Sequence, residues 1–150
     1  MPEISTDIAE VASLVRTRTK NRLGNELGEF TTETKPTLEE AERLLTLATK
    51  KIVSKIGSSE PCTDELAEDA ASCIHLRTAM FIELTYFPEQ VESNRSPYEK
   101  YKELYDEDIA TLLENMAEQC GTGSGEADDG AILPVYDYGT APRLGNRTLF

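Results

Sequence analysis

Tryptophan is absent from this 150-residue chain, histidine occurs once, and cysteine occurs three times. No apolar run approaches the roughly 20 residues that a bilayer-spanning helix needs, so no membrane association is expected. The cysteines Cys62, Cys73 and Cys120 are odd in number and lack any C-x-x-C spacing. Neither a disulfide framework nor a zinc site is expected of them, and they read as small apolar core residues. Basic residues are also scarce, 15 against 28 acids, for a net charge of −13. A general surface that wraps nucleic acid is excluded by that balance, because phosphates are neutralised by Lys and Arg. The opening Met1-Pro2-Glu3 has neither the basic nor the apolar region of a signal peptide. These absences leave the expectation of a soluble, acidic, single-domain protein of a reducing compartment.

What is present is helical patterning. Ile8, Val11, Ala12 and Val15 share one face of a short helix predicted over about 6–15, with Ser5, Thr6 or Asp7 as its cap. Arg16 to Arg22 then alternates basic and polar residues, and two glycines follow before Phe30. This segment reads as a projecting β-hairpin or loop, with the projection extending over 16–36. Thr37-Leu-Glu-Glu40 is a capping box, and Leu38, Ala41, Leu45, Ala48, Ile52 and Ile56 form the stripe of a second helix that Gly57 stops. A third helix, about 64–87, is apolar nearly all round in its second half apart from Glu83, which marks it as central. After a turn-rich connector over 88–95, Ser96-Pro-Tyr-Glu99 reads as a second capping box opening a fourth helix to about 120. The fold class expected is all-α, a small helical bundle of about four helices over residues 1–120.

Charge is uneven along this plan. Residues 56–130 carry 18 acids and 4 bases, whereas the remainder is close to balanced. Residues 121–130 have the glycine-rich composition of a flexible linker. Residues 131–150 show no helical period but hold Ile132, Leu133, Val135, Tyr136, Tyr138, Leu149 and Phe150, with Arg143 and Arg147 among them. They read as an extended docking arm.

Chemistry-bearing constellations are few. His75 lacks a Glu three residues before it, as a di-metal bundle would require, and Cys73 falls on another helical face. Gly121-Thr-Gly-Ser-Gly125 follows a helix and precedes no Lys-Ser/Thr pair, which argues against a phosphate loop. No catalytic residue, metal or cofactor is expected.

Several segments in order resemble a known family: Arg16-Thr-Arg-Thr-Lys20, Asn25-Glu-Leu-Gly-Glu-Phe-Thr31, Lys35-Pro-Thr37, Ala79-Met-Phe-Ile-Glu-Leu-Thr-Tyr-Phe-Pro-Glu-Gln90 and Ser96-Pro-Tyr-Glu-Lys-Tyr-Lys-Glu-Leu-Tyr105. Over about residues 8–118 the chain looks like the head-to-tail adaptor (head-completion, or connector) proteins of long-tailed double-stranded-DNA bacteriophages, the actinobacteriophage type above all. The resemblance implies a structural virion protein of the head–tail junction, made in the host cytoplasm, without enzymatic activity. It implies a homo-oligomeric ring, usually of twelve copies, that docks under the portal protein and receives a stopper or tail-completion protein. Double-stranded DNA would pass through the ring without specific binding.

On that reading the acids Glu65, Glu68, Asp69, Glu103, Asp106 and Glu107 are candidates to face the channel. Arg16, Arg18, Lys20, Arg22 and Phe30 are candidate partner contacts of the hairpin. The arm contributes Ile132, Leu133, Val135, Tyr136, Tyr138, Arg143, Arg147, Leu149 and Phe150, docked on a neighbouring adaptor or the portal. Two other readings compete: an acidic inhibitor that mimics DNA, favoured by the charge, and a small helical enzyme resting on His75 and Cys73.

Overall fold

The computed structural model describes residues 3–120, of which 67% are helical. Among the described residues there are five α-helices and no strand: α1 (Ile8–Leu14), α2 (Leu38–Ile56), α3 (Asp64–Tyr86), α4 (Pro88–Glu92) and α5 (Tyr98–Gln119). A 3₁₀ turn, Arg16–Arg18, follows α1. The all-α bundle expected from patterning is therefore the fold.

Local chemistry sets most helix ends. Asp7 caps α1 by accepting a hydrogen bond from the Ala9 amide at 3.0 Å. Both halves of the capping box on α2 are made: Thr37 Oγ1 accepts from the Glu40 amide at 3.3 Å, and the Thr37 amide donates to Glu40 Oε1 at 3.0 Å. Gly57 closes α2 at φ +78°, where a side chain would be strained. Thr63 caps α3 through the Leu66 amide.

Two ends differ from expectation. The connector 88–95 contains α4, because Pro88 cannot continue α3 but is well suited to the first position of a new helix. The Ser96–Glu99 box is not the arrangement at α5. Ser96 Oγ accepts from the Tyr98 amide at 3.1 Å and donates to Glu83 Oε1 at 2.7 Å, so a buried carboxylate from α3 takes the hydroxyl proton.

α3 is the central element, with twelve buried residues, and both α1 and α2 pack on it. One core cluster joins Val11, Ala12 and Val15 of α1, Ala41 of α2, Ala79 and Ile82 of α3, and Phe30 from the intervening loop. Tyr105, Ile109 and Leu112 are the buried residues of α5. Contacts divide the chain into two units, Met1–Leu112 and Leu113–Phe150. The unit before this division holds every cluster described below. In the second unit the described residues, 113–120, comprise the last turns of α5 and Cys120. The linker 121–130 and the arm 131–150 lie outside the described residues.

The cysteines divide. Cys73 is free and fully buried, as a small core residue should be. Burial, with Asp108 and then Asp69 nearby, pushes its thiol up to about 12, which makes it unreactive at neutral pH. Cys62 and Cys120 correct the expectation drawn from spacing, since both are disulfide-bonded. Cysteine spacing reports metal and redox motifs and does not by itself exclude a disulfide.

Candidate functional site

Residues 16–36 leave the bundle and return, and they differ sharply between base and tip. At the base, Arg18 turns inward. Its Nε donates to Glu83 Oε2 at 2.9 Å, and its Nη2 donates to Glu83 Oε1 at 2.6 Å and to Gln90 Oε1 at 2.8 Å. The guanidinium also stacks 3.7 Å from the centroid of the Phe87 ring. Only 1% of the Glu83 side chain and 11% of the Arg18 side chain reach solvent. Glu83 is thus the polar exception in an otherwise apolar helix because it receives a fork of donors from another segment.

The surrounding loop is equally tied down. Thr19 is fully buried; its hydroxyl donates to the Arg16 carbonyl at 2.6 Å and accepts from the Gly28 amide at 3.1 Å. Thr34 Oγ1 accepts from the Thr31 amide at 2.9 Å, and the Leu38 amide donates to the Thr31 carbonyl. Phe30 is 4% exposed within the main core cluster. Burying such a ring contributes about 1.5–3 kcal/mol. Arg18 and Phe30, expected as partner contacts, are therefore internal anchors. Alternation of basic and polar residues signals an exposed ribbon, and nothing local marks one arginine as the mate of a carboxylate 65 positions later.

The tip is different. Strand pairing is reduced to one antiparallel bridge between Lys20 and Glu26. Beyond it Asn21 builds a tight turn: its Oδ1 accepts from the amides of Leu23 at 2.9 Å and Asn25 at 3.0 Å, while its carbonyl accepts from Gly24. Gly24 supplies φ +86°. The result holds Leu23 out with 85% of its surface exposed. Arg16, Lys20 and Arg22 are exposed as expected, Arg16 lying 3.5 Å from Glu26. Leu23 is the tip residue that charge-based reading passes over.

The candidate channel acids Glu65, Glu68, Asp69, Glu103, Asp106 and Glu107 are all exposed. Asp106 pairs with Lys102 one turn away, at 3.2 Å. Asp69 of α3 and Asp108 of α5 line one small cavity of about 150 Å³. Another cavity, about 630 Å³, is bordered by Glu3, Glu10, Asp64, Glu68 and His75. Acids that are distant in sequence therefore share surfaces.

His75 has a structural task at that cavity. Its Nε2 accepts a hydrogen bond from the Asp7 amide at 3.1 Å, fixing the residue that caps α1. Burial holds the imidazole below its ordinary 6.5, against the opposing influence of Glu10 and Asp7. Among the described residues no group of three or more His, Cys, Asp or Glu could hold a metal ion, and no helix is long and apolar enough to cross a membrane.

A basic feature also emerges from the fold. Lys50, Lys51 and Lys55 at the end of α2 line an open groove of about 530 Å³ with Leu47, Ser54 and Arg77 of α3. Arg77 lies 4.9 Å from the Phe81 ring centroid and 5.3 Å from that of Tyr105. The three lysines lie within six residues of one another, which is the signal available in sequence; Arg77 joins them only through packing.

No protein-family model, curated protein or solved structure matches this chain.

Proposed function

We propose that the chain is a head-to-tail adaptor of a long-tailed bacteriophage neck. It assembles as a ring, docks beneath the portal, extends the DNA channel and receives a stopper or tail-completion protein. The observation that carries this reading is the separation of charge on one small bundle. Exposed acids cluster on α3 and α5, while Lys50, Lys51, Lys55 and Arg77 gather on the groove of α2 and α3. Two unlike surfaces on one subunit suit a heterologous contact, which closes into a ring when the rotation allows. The anchored loop adds a rigid projection to the same plan.

The exposed acids serve the channel in this reading. A wall with few lysines or arginines gives passing DNA no phosphate contacts to release. The protein's role is then structural, with no catalytic residue and no cofactor.

Light-scattering mass after size exclusion tests the proposal, for the chain alone and after mixing with the portal ring of the same virion. Co-elution at about one copy per portal subunit is the expected result. No co-elution at any salt, with an intact portal ring, overturns the neck reading and favours an acidic mimic of DNA. Competition with DNA for a purified DNA-binding target then tests that second reading.

A further inference from the structure

The tip of the loop presents a leucine, and a groove elsewhere on the first unit is lined in part by leucines. The Asn21 turn fixes the backbone on both sides of Leu23 before any partner arrives, which reduces the ordering cost of a contact made through it. An isolated exposed leucine is ordinary on a protein surface. Leu23 is distinguished by its near-complete exposure at the summit of a hydrogen-bonded turn and by its neighbours Lys20 and Arg22.

The groove lies between α1 and α5 and has a volume of about 340 Å³. Leu76 of α3 forms part of its lining, and Leu14 and Leu104, 39% and 49% exposed, stand along it. Glu10 and Asp108 add negative charge beside them. The Leu14 edge is held in place by the Tyr101 hydroxyl, which donates to the Leu14 carbonyl at 2.7 Å. The groove thus sets three leucines and two acids beside the polar Ser13, Ser72 and His75, and the tip sets Leu23 beside Lys20 and Arg22, with Glu26 turned to Arg16.

We propose that the Asn21–Asn25 turn of one copy seats Leu23 in the α1–α5 groove of a second copy, with Lys20 and Arg22 against Glu10 and Asp108. The inference rests on the adaptor reading for its occupant, another copy of this chain, and specifies the contact that reading leaves open. Turn and groove share no residue, so each copy can use both at once, which is the requirement for head-to-tail propagation. Leu23 is the apolar anchor, and the charges set approach and register.

Cross-linking of two single-cysteine variants tests the contact. Cys73 is buried and Cys62 and Cys120 are disulfide-bonded, so a thiol introduced at an exposed position is the one available to a short bifunctional maleimide. Asn25→Cys mixed with Glu107→Cys, exposed neighbours that leave Leu23 and the groove leucines in place, gives cross-linked dimers, whereas either variant alone gives few. A chain carrying both substitutions gives a ladder of higher species. No cross-link in the mixture, or equal yields in the mixture and in each variant alone, overturns the proposal.

Sedimentation velocity supplies the second arm. The wild-type chain self-associates by about 1 mM, and Leu23→Asp weakens that association by tenfold or more. A wild-type chain still monomeric at that concentration, or a Leu23→Asp chain that associates equally well, contradicts the contact. The outcomes separate the two proposals. Copies that join the portal ring without cross-linking there retain the adaptor reading and lose this contact; cross-linking by a chain that never joins the portal does the reverse.

Discussion

The two ends of one loop follow opposite physical rules. At its base, Arg18 and Glu83 are withdrawn from water, hydrogen-bonded as a fork and flanked by Phe87, Gln90 and Ser96. At its tip, Leu23 and Arg22 face solvent on a turn stabilised by its own backbone and by Asn21. The base belongs to the core although it is charged, and the tip belongs to the surface although it is apolar. Polarity alone therefore does not sort this loop into inside and outside; the availability of partners does.

Breaking the base is expected to have the largest effect. Glu83→Leu leaves the Arg18 guanidinium buried without its carboxylate, at a cost of about 3–5 kcal/mol in urea unfolding. Adding Arg18→Met to that variant recovers much of the loss, since an apolar pair replaces a charged one. A loss below 1 kcal/mol for Glu83→Leu alone would show that the pair is open to water. Phe30→Ala comes next, at about 3 kcal/mol, because it empties a site within the main cluster; a midpoint unchanged in urea would place Phe30 outside the core. Thr37→Ala removes one half of the capping box and costs about 1 kcal/mol by the same measurement.

A smaller effect sharpens the comparison through pH. The folded state holds the His75 imidazole below its ordinary 6.5, so the unfolded chain binds the proton more readily. The contribution is fully present above about pH 6.5 and is lost as pH falls through the lower folded value. Urea midpoints between pH 7.5 and about 5 should decline for the wild type, with this share of the decline absent in His75→Gln. An identical slope in both proteins would assign the decline to the carboxylates. Least of all should the tip matter to folding: Leu23→Ser changes stability by no more than about 0.5 kcal/mol.

Much of the bundle is legible in sequence because its signals are local. The Thr37–Glu40 box, the Gly57 stop and the buried residues Ala41, Ala48 and Ile52 of α2 each depend on residues within one or two turns, and each occurs where patterning puts it, whereas Leu38, which spacing puts on the same stripe, is 38% exposed at the start of the helix. The central place of α3 follows from its all-round apolar second half. Non-local partners are what the pattern conceals. Glu83 stands out as an acid among apolar residues, but its mates Arg18 and Ser96 come from different segments. The same applies to the basic groove, where Arg77 meets three lysines of another helix. At the loop, the alternation of basic residues identifies an exposed segment while giving no sign that Arg18 turns inward or that Leu23 turns outward.

Amide hydrogen exchange resolved over residues 16–36 tests the division between base and tip most directly. The amides of Leu27, Gly28, Thr31 and Leu38 donate within the base and should exchange slowly, close to the rate set by global unfolding. The amide of Arg22, at the solvent-facing tip, should exchange fast in the dilute chain and slow on self-association. Uniformly fast exchange from Arg16 to Leu38, at the rate of an unfolded chain, would contradict an anchored base.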